Sequence, residues 1–325
     1  MTLPSLRRRT LVGAAALAPM AWPAWGQAYP ARTITLVVPS VAGGGTDAMA
    51  RAIGQELSKR LGQSVVIENL AGASGAIGAA KVAKAAPDGY TLLLANSDLV
   101  LATLVHKNPG YALADLMPIA NVGGAPQSLI ARANFPASNV EQLIALAKSR
   151  PGRITVGVSG IAALPALAVS MLEDAAQIDL VKVPYKGAAQ VMTDLLGGQV
   201  DLAVTAVVNS LGPVRAGQAK MIGVMSPERL AVAPEFPRFA ETAATRHVSM
   251  DIWAGLFGPS GLPAPIAAQI NAAVQAALSD PAYRAVRAKT GEVTARPASV
   301  EEFGRFVAAE TARYREAAKR LPMDP

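Results

Sequence analysis

Beyond residue 28 the chain alternates two apolar patterns. Short β-branched runs predict buried strands, and longer stretches with apolar residues three and four apart predict helices. Residues 33–38 read as a first strand. Pro39-Ser-Val-Ala-Gly-Gly-Gly-Thr-Asp47 then leads into a helix over 48–61, with Thr46 or Asp47 as its cap and Gly62 as its stop. Residues 64–68 read as a second strand. The small-residue loop 71–75 opens a helix to about residue 85, Pro87-Asp88-Gly89 forms a turn, and 90–95 is a third strand. Strands that alternate with helices in this way predict a parallel sheet.

A second run has the same character. Residues 119–132 read as extended, 140–149 as a helix and 153–157 as a strand, and the loop 158–163 opens a helix to about 175. Strands follow at 179–183, 200–204 and 220–225, with a helix over 188–196 between them. A return strand at 250–257 precedes helices at 265–278, 281–289 and 300–320. Two strand–helix runs followed by helices with no sheet of their own predict an α/β protein of two lobes, a venus flytrap of mainly parallel sheets flanked by helices. Residues 29–125 and 251–325 form one lobe and 126–250 the other. The two crossings, near 122–128 and 249–254, form a two-strand hinge.

The first 28 residues carry a different signal. Arg7-Arg8-Arg9 precede an apolar run over 13–18, and small residues stand at Ala24, Gly26 and Ala28. This is the order of a secretory signal peptide, of either the twin-arginine or the ordinary kind, cut after Gly26 or Ala28. It predicts a mature protein in the periplasm. The same segment holds three of the 30 Lys and Arg residues, so 27 basic residues stand against 23 acidic ones without it. The remaining cations are scattered, which argues against nucleic acid as a partner. The chain has no cysteine and only two histidines, His106 and His247, which excludes thiol chemistry and multi-histidine metal sites. No cofactor and no metal are expected.

Ligands of parallel α/β sheets sit beyond the carboxyl ends of the strands. Here those ends are rich in small residues: Val41, Ala42, Gly43, Gly44 and Gly45 with Asp47, then Ser74 in the second loop, and Ser159 and Gly160 in the second lobe. Glycines admit close approach, and helix N-termini present unpaired N–H groups with a partial positive charge. Three such termini around one cleft predict an anion site that needs no lysine or arginine. A rival reading is an exported NAD(P)-dependent oxidoreductase, because Gly43-x-Gly45-x-x-Ala48 with Glu68 fits a dinucleotide fingerprint. Against it, Pro39 to Ala42 separate the first strand from the first glycine. Gly157-Val-Ser159-Gly-Ile161 lacks the second glycine of a hydrolase elbow. No catalytic residue is expected. Trp253 reads as packing of the hinge strand.

Several segments in order resemble the substrate-binding receptors of tripartite tricarboxylate transporters, the Bug-type family. They include Tyr29-Pro-Ala-Arg-Thr-Ile-Thr-Leu-Val-Val-Pro39, Ala42-Gly-Gly-Gly-Thr-Asp47, Leu61-Gly-Gln-Ser-Val-Val-Ile-Glu-Asn69, Val183-Pro-Tyr-Lys-Gly187, Thr193-Asp-Leu-Leu-Gly-Gly-Gln-Val-Asp201 and Trp253-Ala-Gly-Leu-Phe-Gly-Pro259. The resemblance implies a type II periplasmic-binding fold and a carboxylate-bearing ligand held at the βα loops by backbone amides and waters. Its implied contacts include Asn96, Ser97, Ala163, Tyr185, Thr205 and Ala206. It also implies a monomer that docks on a membrane permease, unless the receptor is an orphan used in sensing. Where the family has Thr-His, this chain has Leu99-Val100. A family Ser/Thr-rich run ending in His is replaced by Ala163-Leu-Pro-Ala166, and a family Asp followed by a small polar residue becomes Thr205 and Ala206. The far end of the pocket is therefore expected to be apolar and to favour a monocarboxylate with an apolar or aromatic body.

Overall fold

A computed structural model describes residues 29–160, 163–226 and 228–319. The segment on which the export reading rests lies outside the described residues. Among those residues no helix is long and apolar enough to cross a membrane.

The first β-branched run becomes β1 (Ile34–Val38), whose side chains are almost all buried. It lies parallel to β2 (Val65–Asn69) on one side and to β3 (Thr91–Asn96) on the other. β3 pairs antiparallel with β9 (Asp251–Pro259), and β9 pairs antiparallel with the first part of β4 (Leu116–Arg132). The second part of β4 enters another sheet, between β7 (Leu202–Ala206) and β8 (Ala219–Val224). There β5 (Thr155–Val158) runs parallel to both β7 and β6 (Val181–Pro184). The short β10 (Val293–Thr294) lies against Gly123 and Gly124 of β4. Among the described residues β4 is the strand common to both sheets. Chain crossings at β4 and at the start of β9 join the two lobes, as the two apolar runs predicted.

Helices cover each sheet. On the first lie α1 (Gly45–Leu61), α2 (Ala76–Ala83), α3 (Asp98–Val105), α8 (Ala264–Leu278), α9 (Pro281–Lys289) and α10 (Val300–Ala318). On the second lie α4 (Val140–Ser149), α5 (Leu164–Ala176), α6 (Ala188–Leu196) and α7 (Val207–Arg215). Helix ends follow local chemistry. Gly62 closes α1 in the left-handed conformation at φ 68°, and the Asn139 side chain caps α4 by accepting the Gln142 N–H.

Three expectations change. Neither Thr46 nor Asp47 caps α1: the helix starts earlier, from Gly44, with no side-chain cap. The Asp47 carboxylate instead reaches back to the Gly43 N–H, which precedes the helix. The helix α3 has no counterpart in the sequence reading, because Leu99, Val100, Leu101, Ala102 and Val105 are all buried and leave no polar face to mark a period. Finally, α10 does more than cover the first sheet. It packs on β4 and α3 and also touches α5 of the second lobe. Trp253, Phe257, Phe303 and Phe306 form its aromatic contact with β9, where the Trp253 Nε1–H donates to the Tyr314 hydroxyl at 3.1 Å. Trp253 is thus hinge-strand packing. One apolar cluster runs from Val37 and Leu93 through α3 and α10 to Val156, Leu164 and Leu167.

Candidate ligand cleft

Between the lobes lies a cavity of about 620 Å³. Its floor is the hinge, with Gly124, Ala125 and Gln127 from β4 and Ile252 and Ala254 from β9. The strand-end loops form its walls. Ten of the residues expected from the sequence line it: Val41, Gly44, Gly45, Ser74 and Asn96 from the first lobe, and Ser159, Gly160, Tyr185, Thr205 and Ala206 from the second. Ala42, Gly43, Asp47, Ser97 and Ala163 are not on its wall. Asp47, Ser97 and Ala163 are buried behind it. The walls meet closely in this structure. A Cβ added at Gly160 would stand 3.7 Å from Ser74 Oγ, one at Gly187 3.8 Å from Val41 and one at Gly45 3.8 Å from Val208.

The α1 loop has the chemistry of an anion cradle. The first backbone bond of α1 runs from Ala48 N–H to Gly44 O, so the N–H groups of Gly45, Thr46 and Asp47 precede it. Gly43 does not add to that set, because its N–H is given to Asp47 Oδ2 at 2.9 Å. The same oxygen accepts from Arg51 Nε at 2.9 Å, and the other accepts from Asn69 Nδ2 at 3.0 Å. Asn69 also donates to Ser40 O. Asp47 therefore ties the loop to the end of β2. Burial alone would raise its carboxyl; the bonds from Arg51, Gly43 and Asn69 outweigh burial and hold it below the usual carboxylate range. The next loop is strained. Gly72, Ala73, Ser74 and Gly75 all have positive φ, and Ala73 and Ser74 hold the left-handed region without glycine's freedom.

In the second lobe the N-terminus of α7 faces α1 across the cleft, with Ala206, Val208 and Asn209 on the wall. The Asn209 side chain donates to Thr205 Oγ1 at 3.0 Å. The Tyr185 hydroxyl donates to Asp194 Oδ2 at 2.8 Å, so its ring serves the wall. The N-terminus of α5 is not an open anion site. Leu164 gives its N–H to Asp98 Oδ1 at 2.8 Å, Pro165 has none to give, and Ala166 and Leu167 return theirs to Ala163 O. Among the described lining residues the one cation, Lys186, is exposed.

The sequence reading missed three lining residues with chemical weight. Asp98 sits on the apolar-looking segment that became α3. Glu292 is buried beside Arg287, whose Nη1 lies 2.9 Å from its Oε2. Gln127 is 0% exposed, and neither its Oε1 nor its Nε2 has a hydrogen-bond partner among the described residues. Its position on an extended apolar run was the only available signal. His247 is exposed, and neither histidine lines the cavity.

Two lobes, a hinge shared by both sheets and a cleft walled by helix N-termini define a solute-binding receptor of the periplasmic type. Residues 49–322 match the family model described as tripartite tricarboxylate transporter family receptor, and the chain belongs to that family. Among solved structures, the periplasmic binding protein BugD is 34% identical, with a TM-score of 0.83 over 91% of this chain and 99% of that one. Rpa4515 of R. palustris, solved with adipate, is 31% identical with a TM-score of 0.85, covering 90% of this chain and 98% of its own. MatC of Rhodopseudomonas palustris, solved with bound malate, is 31% identical with a TM-score of 0.82, covering 89% and 100%. None of these supports the dinucleotide reading. In the structure Gly43 N–H is already taken, and Glu68 is paired with Lys81.

Proposed function

We propose that this receptor captures a small monocarboxylate with an apolar or aromatic body, performs no chemistry on it and delivers it to a membrane permease. The observation that carries the reading is the cleft itself. Gly45 and Thr46, whose N–H groups precede the first backbone bond of α1, line a cavity whose wall also includes Met49, Leu99, Pro165 and Ile252 and, among the described lining residues, no buried lysine or arginine. A carboxylate suits the first feature and an apolar body the second. The carboxylate binds the α1 loop first. Closure then brings Ser159, Gly160 and Thr205 over the far end, and it persists only if the ligand touches both lobes. The chain acts as a monomer whose lobes are residues 29–125 with 251–325, and residues 126–250. It reaches the periplasm through a signal in residues 1–28, cut near 26–28.

A thermal-shift screen of a carboxylate library on the mature protein tests this. A ligand present at about 1,000 times its Kd adds about 4 kcal/mol to stability. Aromatic and branched monocarboxylates are expected to give the largest shifts. If citrate or malate binds more tightly, the ligand class is wrong. If no carboxylate binds, the carboxylate reading falls.

A further inference from the structure

Asp98 is the feature of the cleft that the proposed function does not use. It begins α3 in the first lobe, and its backbone N–H is held by Asn96 Oδ1 at 2.9 Å. Its side chain lines the cavity and crosses to the second lobe, where Oδ1 accepts the Leu164 N–H at the start of α5. A helix N-terminus in a cleft is where a ligand's second carboxylate would be held. Here the protein's own carboxylate already stands there, and Pro165, Ala166 and Leu167 leave no other donor in that first turn. Oδ1 and the Leu164 N–H come from different lobes, so the bond exists only when the lobes are together. It replaces the bridge that a doubly charged ligand would otherwise make.

We propose that Asp98 is a specificity-determining residue: its carboxylate occupies the N-terminus of α5 in the closed cleft and rejects ligands that carry a second negative charge at the far end. The inference rests on the reading of the cleft as a carboxylate site. A second carboxylate brought to this end would meet a like charge in a dehydrated cavity and find no free N–H of α5. Burial pushes the Asp98 carboxyl up to about 6, against the opposing bonds from Leu164 and Asn96, which leaves it mostly ionised at neutral pH. The lining beside it, Leu99 and Pro165, is apolar. The ligand's far end is therefore uncharged, or carries a hydrogen-bond donor directed at Asp98.

Matched pairs that differ only by the second carboxylate test this: hexanoate against adipate, and benzoate against terephthalate, titrated calorimetrically into the mature protein at pH 7.5. The wild type is expected to bind the monocarboxylate of at least one pair at least tenfold more tightly. Asp98→Asn keeps an oxygen for the Leu164 N–H and removes the charge. It is expected to raise affinity for the diacid at least tenfold while the monoacid changes less than threefold. Asp98→Ser, which also removes the charge, serves if the Asn variant does not fold. A wild type that binds the diacid as tightly as the monoacid overturns the proposal and leaves the receptor reading intact. So does a neutral variant whose preference is unchanged. If none of the four acids binds either protein, the carboxylate reading fails and this inference with it.

Discussion

At the scale of single residues, the cleft is organised by polar groups that the apolar pattern conceals. Gln127 is the clearest. A buried amide with no partner costs about 1–3 kcal/mol, so a folded protein keeps one where something else repays it. Gln127 lines the cavity floor, so a contact with the ligand is the role that a substitution there tests. Gln127→Leu is expected to raise the stability of the ligand-free protein by about 1 kcal/mol and to weaken binding of the captured carboxylate at least tenfold. Unfolding in urea and calorimetry read the two effects. A less stable protein with unchanged affinity would show that Gln127 has only a packing role. Asp47 marks the limit of residue-level reading from sequence. Its type and position pointed to the site, but its oxygens hold the loop from behind, on Gly43, Arg51 and Asn69. Spacing places a carboxylate near a loop; only the path of that loop decides which side of it the carboxylate reaches.

At the scale of elements, most strands and helices were legible, while α3 and α7 were not. The α4 segment has a clear polar face and is found where the pattern placed it, at Val140–Ser149. The α3 segment has none, so its apolar run carried no period, and with it Asp98 lost its context. The hinge was legible as two crossings, but its closeness was not. At Gly124 the strands β4 and β9 approach so tightly that a Cβ would lie 1.9 Å from Ile252 O. Gly124→Ala must push the strands apart and is expected to cost about 3 kcal/mol, lowering the thermal midpoint by roughly 5 °C or more. Gly304, inside α10 with open space around it, is the control: Gly304→Ala is expected to be neutral or to stabilise by up to about 1 kcal/mol. Equal midpoints for the two variants would refute the close-packed hinge.

At the scale of the whole molecule, burial at the lobe seam couples stability to pH. Asp251 stands where the chain re-enters the first lobe. Burial pushes its carboxyl up to about 6, with Arg313 opposing and Glu310 adding to the rise. A folded-state carboxyl raised in this way binds a proton that the unfolded chain has already lost, so its contribution to stability falls as pH rises from about 4 to about 6. Asp251→Asn removes that loss. It is expected to match the wild type near pH 4 and to exceed it by on the order of 2 kcal/mol at pH 7. Denaturant unfolding at the two pH values checks this, and a difference that does not grow with pH would contradict it.

The sequence by itself determined the alternation of strands and helices, the two-lobed α/β class and the glycine loops at the strand ends. Each of these is encoded by neighbours a few residues apart, where hydrophobic period and backbone freedom act. Tertiary structure alone decided which donors remain for a ligand. It set Asp47 behind the α1 loop, brought Asp98 some 66 positions along the chain to Leu164, and left the buried amide of Gln127 without a hydrogen-bond partner among the described residues at the cavity floor. The Asp98 outcome depends on groups far apart in the chain meeting across the cleft, and the Asp47 outcome on the path of its loop, and no apolar period records either.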